Sequence, residues 1–192
     1  MPAATVADLL RDLVPCLAGR RWFVFGAQAV SVHGRPRVSL DVDITVFMEP
    51  SDSPALVKSL RAAGFMLRVA DADDFLMKTR VIPLWHTASQ LGLDVVLAGP
   101  GYEEEFLARS GFAEIGGVRV PVISAEDLIV TKVLAARPKD FDDVVGVLRE
   151  KREELDLRLV RGVLRSIEAA LGVGDLLPEL ERAIAAAGPR KR

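Results

Sequence analysis

The chain has a single cysteine, Cys16, among its 192 residues, so it forms no internal disulfide and no cysteine-built zinc site. Two histidines, His33 and His86, are too few for a histidine metal cage. No apolar run approaches the ~20 residues that cross a bilayer, and no basic segment followed by an apolar one opens the chain. A cytoplasmic protein without a membrane partner is expected. The absence of a Gly-x-x-x-x-Gly-Lys run argues against a P-loop phosphotransferase. With a net charge of −2, no global basic field announces nucleic acid. Only a local basic groove remains open, built from Arg35, Arg37, Arg68, Lys78 and Arg80. Repeats and low-complexity tracts are also missing, apart from a tail at 188–192 that is expected to fray.

Half of the residues are apolar, ample for one core with a helical appendage. Thr5 reads as the N-cap of an amphipathic helix carrying Leu9, Leu10, Leu13, Val14 and Leu17, with Cys16 as plain core packing. Strands are expected at 21–25, 40–47, 65–69, 81–85, 93–97, 112–115 and 118–122, the last two joined by the hairpin signal Gly116-Gly117. Helices are expected at 27–33, from Ser53-Pro54 to Gly64, and at 102–108. The acidic group Asp71, Asp73 and Asp74 reads as a solvated loop. From Ser124 onward the spacing is helical, broken at Pro138 and at 172–174. The expected organisation is therefore an α/β core over 1–123 and a helical region, packed on it, over 124–192.

One segment carries chemistry. A short apolar run ends at Phe25-Gly26, a helix-like stretch follows, and Asp41-Val42-Asp43-Ile44 comes next. Side chains alternate along a strand, so Asp41 and Asp43 share a face while Leu40, Val42 and Ile44 point into the core. Two carboxylates so close need protons, a cationic partner or a divalent metal. The start of a helix after Gly26 suits a phosphate, and together these features suggest a metal-bound nucleoside triphosphate. Arg37 and Ser39 join the same face if the strand extends back to them.

This pattern resembles the DNA polymerase β-like nucleotidyltransferase superfamily, in its minimal toxin-type, AbiEii-like branch. Phe25-Gly26-Ala27 stands where that family has an apolar residue, Gly, then Gly or Ser; Ala27 departs from it and removes a hydroxyl contact to phosphate. Asp41-x-Asp43 is the second element, and His33-Gly34 with Arg37-x-Ser39 lies between. The resemblance implies a mixed-sheet nucleotidyltransferase fold and a third carboxylate on a neighbouring strand. Asp94, the lone acid in Leu91-Gly92-Leu93-Asp94-Val95-Val96-Leu97, is the candidate, with capping of a strand end or pairing to a nearby arginine as its alternative role. Downstream, Lys132 and the Lys139-Asp140 and Asp143 element are similar to the later motifs of that branch. There the lysine faces the triphosphate and the acidic element organises the site. On their own, Lys132 would be a partly exposed helix lysine and Asp140 a helix-start acid favoured by the dipole.

The implied activity is transfer of a nucleoside monophosphate from a nucleoside triphosphate to a hydroxyl acceptor, with one or two Mg²⁺ ions on Asp41, Asp43 and Asp94. Asp94 would also face the acceptor and receive its proton. Gly26, Ala27, Arg37, Ser39, Lys132, Lys139 and Asp143 would bind the nucleotide. The acceptor is left open among a tRNA end, a protein hydroxyl and a small antibiotic-like alcohol, and an antitoxin is an implied partner. The alternative is a catalytically inactive member that binds nucleotide or a partner protein.

Overall fold

The computed structural model describes residues 5–99 and 101–188; Pro100 and the tail from 189 onward, where fraying is expected, lie outside the described residues. The described chain divides into two compact units. One takes in the chain up to Gln28 together with 38–123, the other Ala29–Arg37 together with everything from Ser124.

The first unit is built on one mixed sheet. Its strands are β1 (Arg21–Phe25), β2 (Asp41–Phe47), β3 (Phe65–Leu67), β4 (Val81–His86), β5 (Leu91–Leu97), β6 (Gly111–Ile115) and β7 (Val118–Val122). They lie in the order β3-β4-β5-β2-β1-β7-β6. β2 is central, antiparallel to β1 and parallel to β5, while β1 runs parallel to β7. β4 is antiparallel to both β3 and β5, and β6 and β7 form a hairpin closed by Gly116 and Gly117. Helices α1 (Val6–Cys16), α2 (Gly26–His33, shared between the units), α3 (Ser53–Ala62), α4 (Ala72–Thr79) and α5 (Tyr102–Arg109) complete it.

Its core follows from the two periodicities. Leu9, Leu10 and Leu13 repeat on one stripe of α1 and are fully buried. Val42, Ile44 and Val46 on β2, with Leu93 and Val95 on β5, are likewise fully buried. At about 25 cal/mol per Å² of apolar area removed from water, each such side chain contributes roughly 1.5–3 kcal/mol before entropy is counted. His86 is buried among them; its two ring nitrogens lie 2.8 Å from Ser89 Oγ and 3.1 Å from Asp12 Oδ2, so no polar atom of the ring is left without a partner.

The second unit is helical, with α6 (Ala125–Ala135), α7 (Pro138–Lys151), α8 (Leu157–Leu171) and α9 (Leu176–Ala187). Ser124 caps α6, its Oγ accepting from the Asp127 amide at 3.1 Å and donating to Asp127 Oδ2 at 2.9 Å. Pro138, where the helical spacing breaks, is the first residue of α7, a position where its missing N–H costs nothing. Leu128, Ile129, Val144, Leu148, Val160, Leu164 and Leu180 are buried and form this unit's core.

Four sequence expectations are corrected. Strand β2 begins at Asp41, so Arg37 and Ser39 do not extend the face of Asp41 and Asp43. Leu40 is exposed rather than pointing into the core with Val42 and Ile44. The acidic group at 71–74 is not a loop. Asp71 caps α4, accepting from the Asp74 amide at 2.9 Å, and Asp73 and Asp74 occupy the first turn, where the dipole favours them. Cys16 is half-buried rather than in the core. Four of the five basic residues proposed for a groove have separate partners: Lys78 on Asp74, Arg80 on the Leu97 and Ala98 carbonyls, Arg37 on Asp143 and Arg68 on Asp41 and Asp94. Because the cap is the device that starts α4, Asp71→Ala should cost about 0.5–2 kcal/mol of unfolding free energy, measured by urea denaturation, whereas a mere loop acid would cost nothing.

Candidate active site

The ladder registers place the acids. Asp43 on β2 is paired with Asp94 on β5, and Asp94 is paired in turn with Pro83 on β4. Arg68 directly follows β3 and its amide donates to the Pro83 carbonyl at 3.0 Å, so it continues the same row. A single line across the sheet therefore reads Arg68, Pro83, Asp94, Asp43 and, on β1, Phe25. Residues paired across a ladder project to one face. Asp41, two residues before Asp43, projects to that same face and is paired with Gly92. Asp41, Asp43 and Asp94 are thus brought together on two adjacent parallel strands.

Two glycines make room for them. Gly26 has φ +63° at the turn from β1 into α2, and a Cβ there would fall on the Asp43 carboxylate. Gly92 has ordinary backbone, but a Cβ there would fall on Asp41 Oδ1. Each glycine faces a different aspartate, so the empty positions at 26 and 92 are what allow both carboxylates to lie over the sheet.

The cation that answers this charge is Arg68. Its guanidinium pairs with the Asp94 carboxylate and sits 3.9 Å from Asp41 Oδ1. The alternative role of Asp94, pairing with an arginine, is therefore the one seen. Asp94 is 31% exposed and Asp41 49%, so the carboxylates face solvent. Among the described residues no three His, Cys, Asp or Glu side chains stand in an arrangement that holds a metal ion. The chemistry of the donor set nonetheless suits a hard cation: carboxylate oxygens alone, in register, on a face kept clear of side chains by glycine. Arg68 was named from the sequence only as a general basic residue. Its signal was positional, an arginine one residue beyond a strand whose register nothing in the sequence announces.

Around these acids, Gly26 and Ala27 open α2, and Ala27 is buried with no hydroxyl to offer. Ser39 Oγ accepts weakly from the Asp41 amide, at 3.4 Å.

In the second unit, the Lys132 ammonium donates to Asp140 Oδ1 at 2.9 Å and to Asp143 Oδ2 at 2.7 Å. Arg37 adds a bond to Asp143, its Nε 3.1 Å from Oδ1, and Arg137 one to Asp140, its Nη2 3.1 Å from Oδ1. Asp140 is fully buried, and Lys132 and Asp143 nearly so. Burial by itself would raise the Asp140 carboxyl, but hydrogen bonds and charge from Arg137 and Lys132 outweigh it and hold the group below the usual carboxylate range. Lys132 is therefore not the partly exposed lysine the sequence suggested, and Asp140 is more than a helix-start acid. Both expectations are corrected for one reason: α6 and α7 pack face to face and seal the pair between them. Lys139, in contrast, is exposed in the first turn of α7.

Residues 8–187 match the family model of the nucleotidyl transferase AbiEii toxin, type IV TA system. The chain belongs to that family. No curated protein matches this chain by sequence. Solved structures agree on its fold. The antibiotic-resistance factor ANT(2'')-Ia superposes with a TM-score of 0.61 at 16% identity, covering 85% of this chain and 93% of that one. The lincosamide antibiotic adenylyltransferase LnuA, solved with lincomycin bound, gives 0.54 at 13% identity, over 76% and 97%. An antigenic nucleotidyltransferase-like protein from Paracoccidioides brasiliensis gives 0.52 at 16%, over 94% and 91%. At such identities the likeness is one of fold: the mixed sheet of this AbiEii-family chain is the nucleotidyltransferase sheet.

The ion cluster yields a test. Lys132→Met leaves Asp140 and Asp143 buried without their shared ammonium, and should destabilise the AbiEii-family chain by about 3–5 kcal/mol in denaturant titrations. Because the native Asp140 carboxyl is held low, its stabilisation is complete above the unfolded value of about 3.9 and fades as pH falls through the lower native value. Melting temperature followed from pH 6 downward should therefore fall less steeply for Asp140→Asn than for the wild type.

Proposed function

We propose that this AbiEii-family chain is a metal-dependent nucleotidyltransferase that moves a nucleoside monophosphate from a nucleoside triphosphate to a hydroxyl acceptor. The observation that carries the reading is the row that sets Asp43 beside Asp94, with Asp41 on the same face and glycines opposite two of the three acids. Asp41, Asp43 and Asp94 would hold Mg²⁺, which keeps several waters and takes few carboxylates. When bound, the ion supplies positive charge for the triphosphate and lowers the cost of forming an alkoxide on the acceptor.

This chain's own residues do the rest. The Gly26 and Ala27 amides at the start of α2 would hold a phosphate oxygen with the helix dipole behind them. Ser39, next to Asp41, would add a hydroxyl contact in place of the one that Ala27 cannot make. Asp94 would orient the acceptor hydroxyl and take its proton. The acceptor oxygen then bonds to the α-phosphorus, the bond to the β-phosphate oxygen breaks, and pyrophosphate leaves with the electron pair. Little covalent work falls to the protein, so alignment and charge supply most of the rate. Lys132, Arg37 and Asp143 serve in this reading to stabilise the helical unit.

The family name suggests an antitoxin partner for the chain. An acceptor alcohol of the antibiotic type is suggested by ANT(2'')-Ia, solved with adenylyl-2''-tobramycin, while an RNA end or a protein hydroxyl offers the same nucleophile. Incubating the protein with each labelled nucleoside triphosphate, Mg²⁺ and a cell lysate should label one acceptor and release pyrophosphate. Asp43→Asn should lower that transfer by at least about 100-fold with its circular dichroism unchanged, the scale for losing a preorganised electrostatic stabiliser. Nucleotide bound and released intact by the wild type would instead identify an inactive binding member.

A further inference from the structure

Arg68 stands in the same row as Asp94 and Asp43, yet the transfer described above has no use for it. We propose that Arg68 is a built-in counter-ion: it holds the acidic cluster in its metal-free form and has to leave when a divalent cation enters. The inference rests on the reading of Asp41, Asp43 and Asp94 as the metal-holding acids.

The geometry supports an exchange. Arg68 is two strands away from Asp94, or roughly 9.6 Å at the usual strand spacing, and its side chain has to arch over β4 to reach the carboxylate. The residue it crosses is Pro83, compact and buried, between Arg68 and Asp94 in the row. At the far side Gly92 leaves the sheet bare: a Cβ there would lie 3.5 Å from Arg68 Nη1 as well as against the Asp41 carboxylate. The glycine is thus the floor on which the guanidinium and the carboxylate meet. With its side chain 34% exposed, Arg68 is held, among the described residues, by its backbone bond to Pro83 and by two solvent-facing ion pairs. Such a side chain can swing out without breaking the core.

Competition follows from the ligands. A guanidinium donates N–H groups to carboxylate oxygens, and Mg²⁺ requires those same oxygens at about 2.1 Å. Asp94 cannot satisfy both with the same oxygen, so the guanidinium and the ion compete for it. While the cation is absent, the arginine offsets the repulsion between Asp41, Asp43 and Asp94. Once the cation is present, that offset is redundant, and its loss is subtracted from metal affinity. The pairs are half-exposed, so the subtraction is modest, roughly 3- to 10-fold in dissociation constant.

Mn²⁺ titration followed by electron paramagnetic resonance, together with thermal melts, tests this on the full chain. Arg68→Gln should bind Mn²⁺ roughly 3- to 10-fold more tightly than the wild type. Its metal-free melting temperature should fall by roughly 2–4 °C, and saturating Mn²⁺ should close that gap. Adding Asp94→Asn to Arg68→Gln should recover the metal-free melting temperature by removing the charge left unanswered. Wild-type Mn²⁺ binding accompanied by unchanged or weaker binding in Arg68→Gln overturns the counter-ion role and leaves the metal-site reading standing. No Mn²⁺ binding in any of the proteins overturns the metal-site reading itself, and the inference with it.

Discussion

Carboxylates gathered on one face of a sheet repel one another, and much of the first unit can be understood as the means of keeping three of them there. Asp41 and Asp43 are two residues apart on β2, and the parallel register with β5 adds Asp94 directly beside Asp43. A slip of one residue on either strand would turn an acid into the core and an apolar residue into solvent. That slip is resisted by the opposite face, where Val42, Ile44, Leu93 and Val95 are fully buried. The same alternation that builds the core therefore pins the acids. Gly26 and Gly92 supply the space, and Arg68 supplies the opposite charge.

The second unit treats charge in the opposite way. Lys132, Asp140 and Asp143 are removed from water, with Arg37 and Arg137 reaching in from more exposed positions. Burying charge is costly unless every group is paired and hydrogen-bonded, and here each buried carboxylate accepts from both an ammonium and a guanidinium. Such a network adds little net stability over an apolar core, yet removing one member is severe. In contrast, Asp41 and Asp94 on the sheet meet their arginine while still in contact with solvent. Difference in solvation, more than difference in residue type, separates the two clusters.

Much of the molecule was legible from residue order alone. Alternation and turn residues placed the seven strands, and the change to helical spacing at Ser124 marked where the chain passes from sheet to helices. The motif from Phe25 to Asp43 pointed to the right family, and Asp94 stood out because an acid interrupted an apolar run. Misreadings occurred where the signal was ambiguous locally. Acids at 71–74 fit a loop as well as a helix start, and only the bond from the Asp74 amide to Asp71 distinguishes them. Leu40 reads as the first residue of the strand, but the strand starts at Asp41 and leaves the Leu40 side chain exposed.

What the sequence by itself determined was the content of each element and the parity of side chains along it, because both depend on neighbours within a few residues. What only the tertiary structure decided was which distant elements meet. The pairing of β2 with β5 across roughly fifty residues, the arrival of Arg68 over Pro83 and the sealing of Lys132 between α6 and α7 all depend on long-range packing. A lysine has the same letters whether it faces water or two buried carboxylates. Its burial, and so its electrostatics, is a property of the surroundings that the fold assembles.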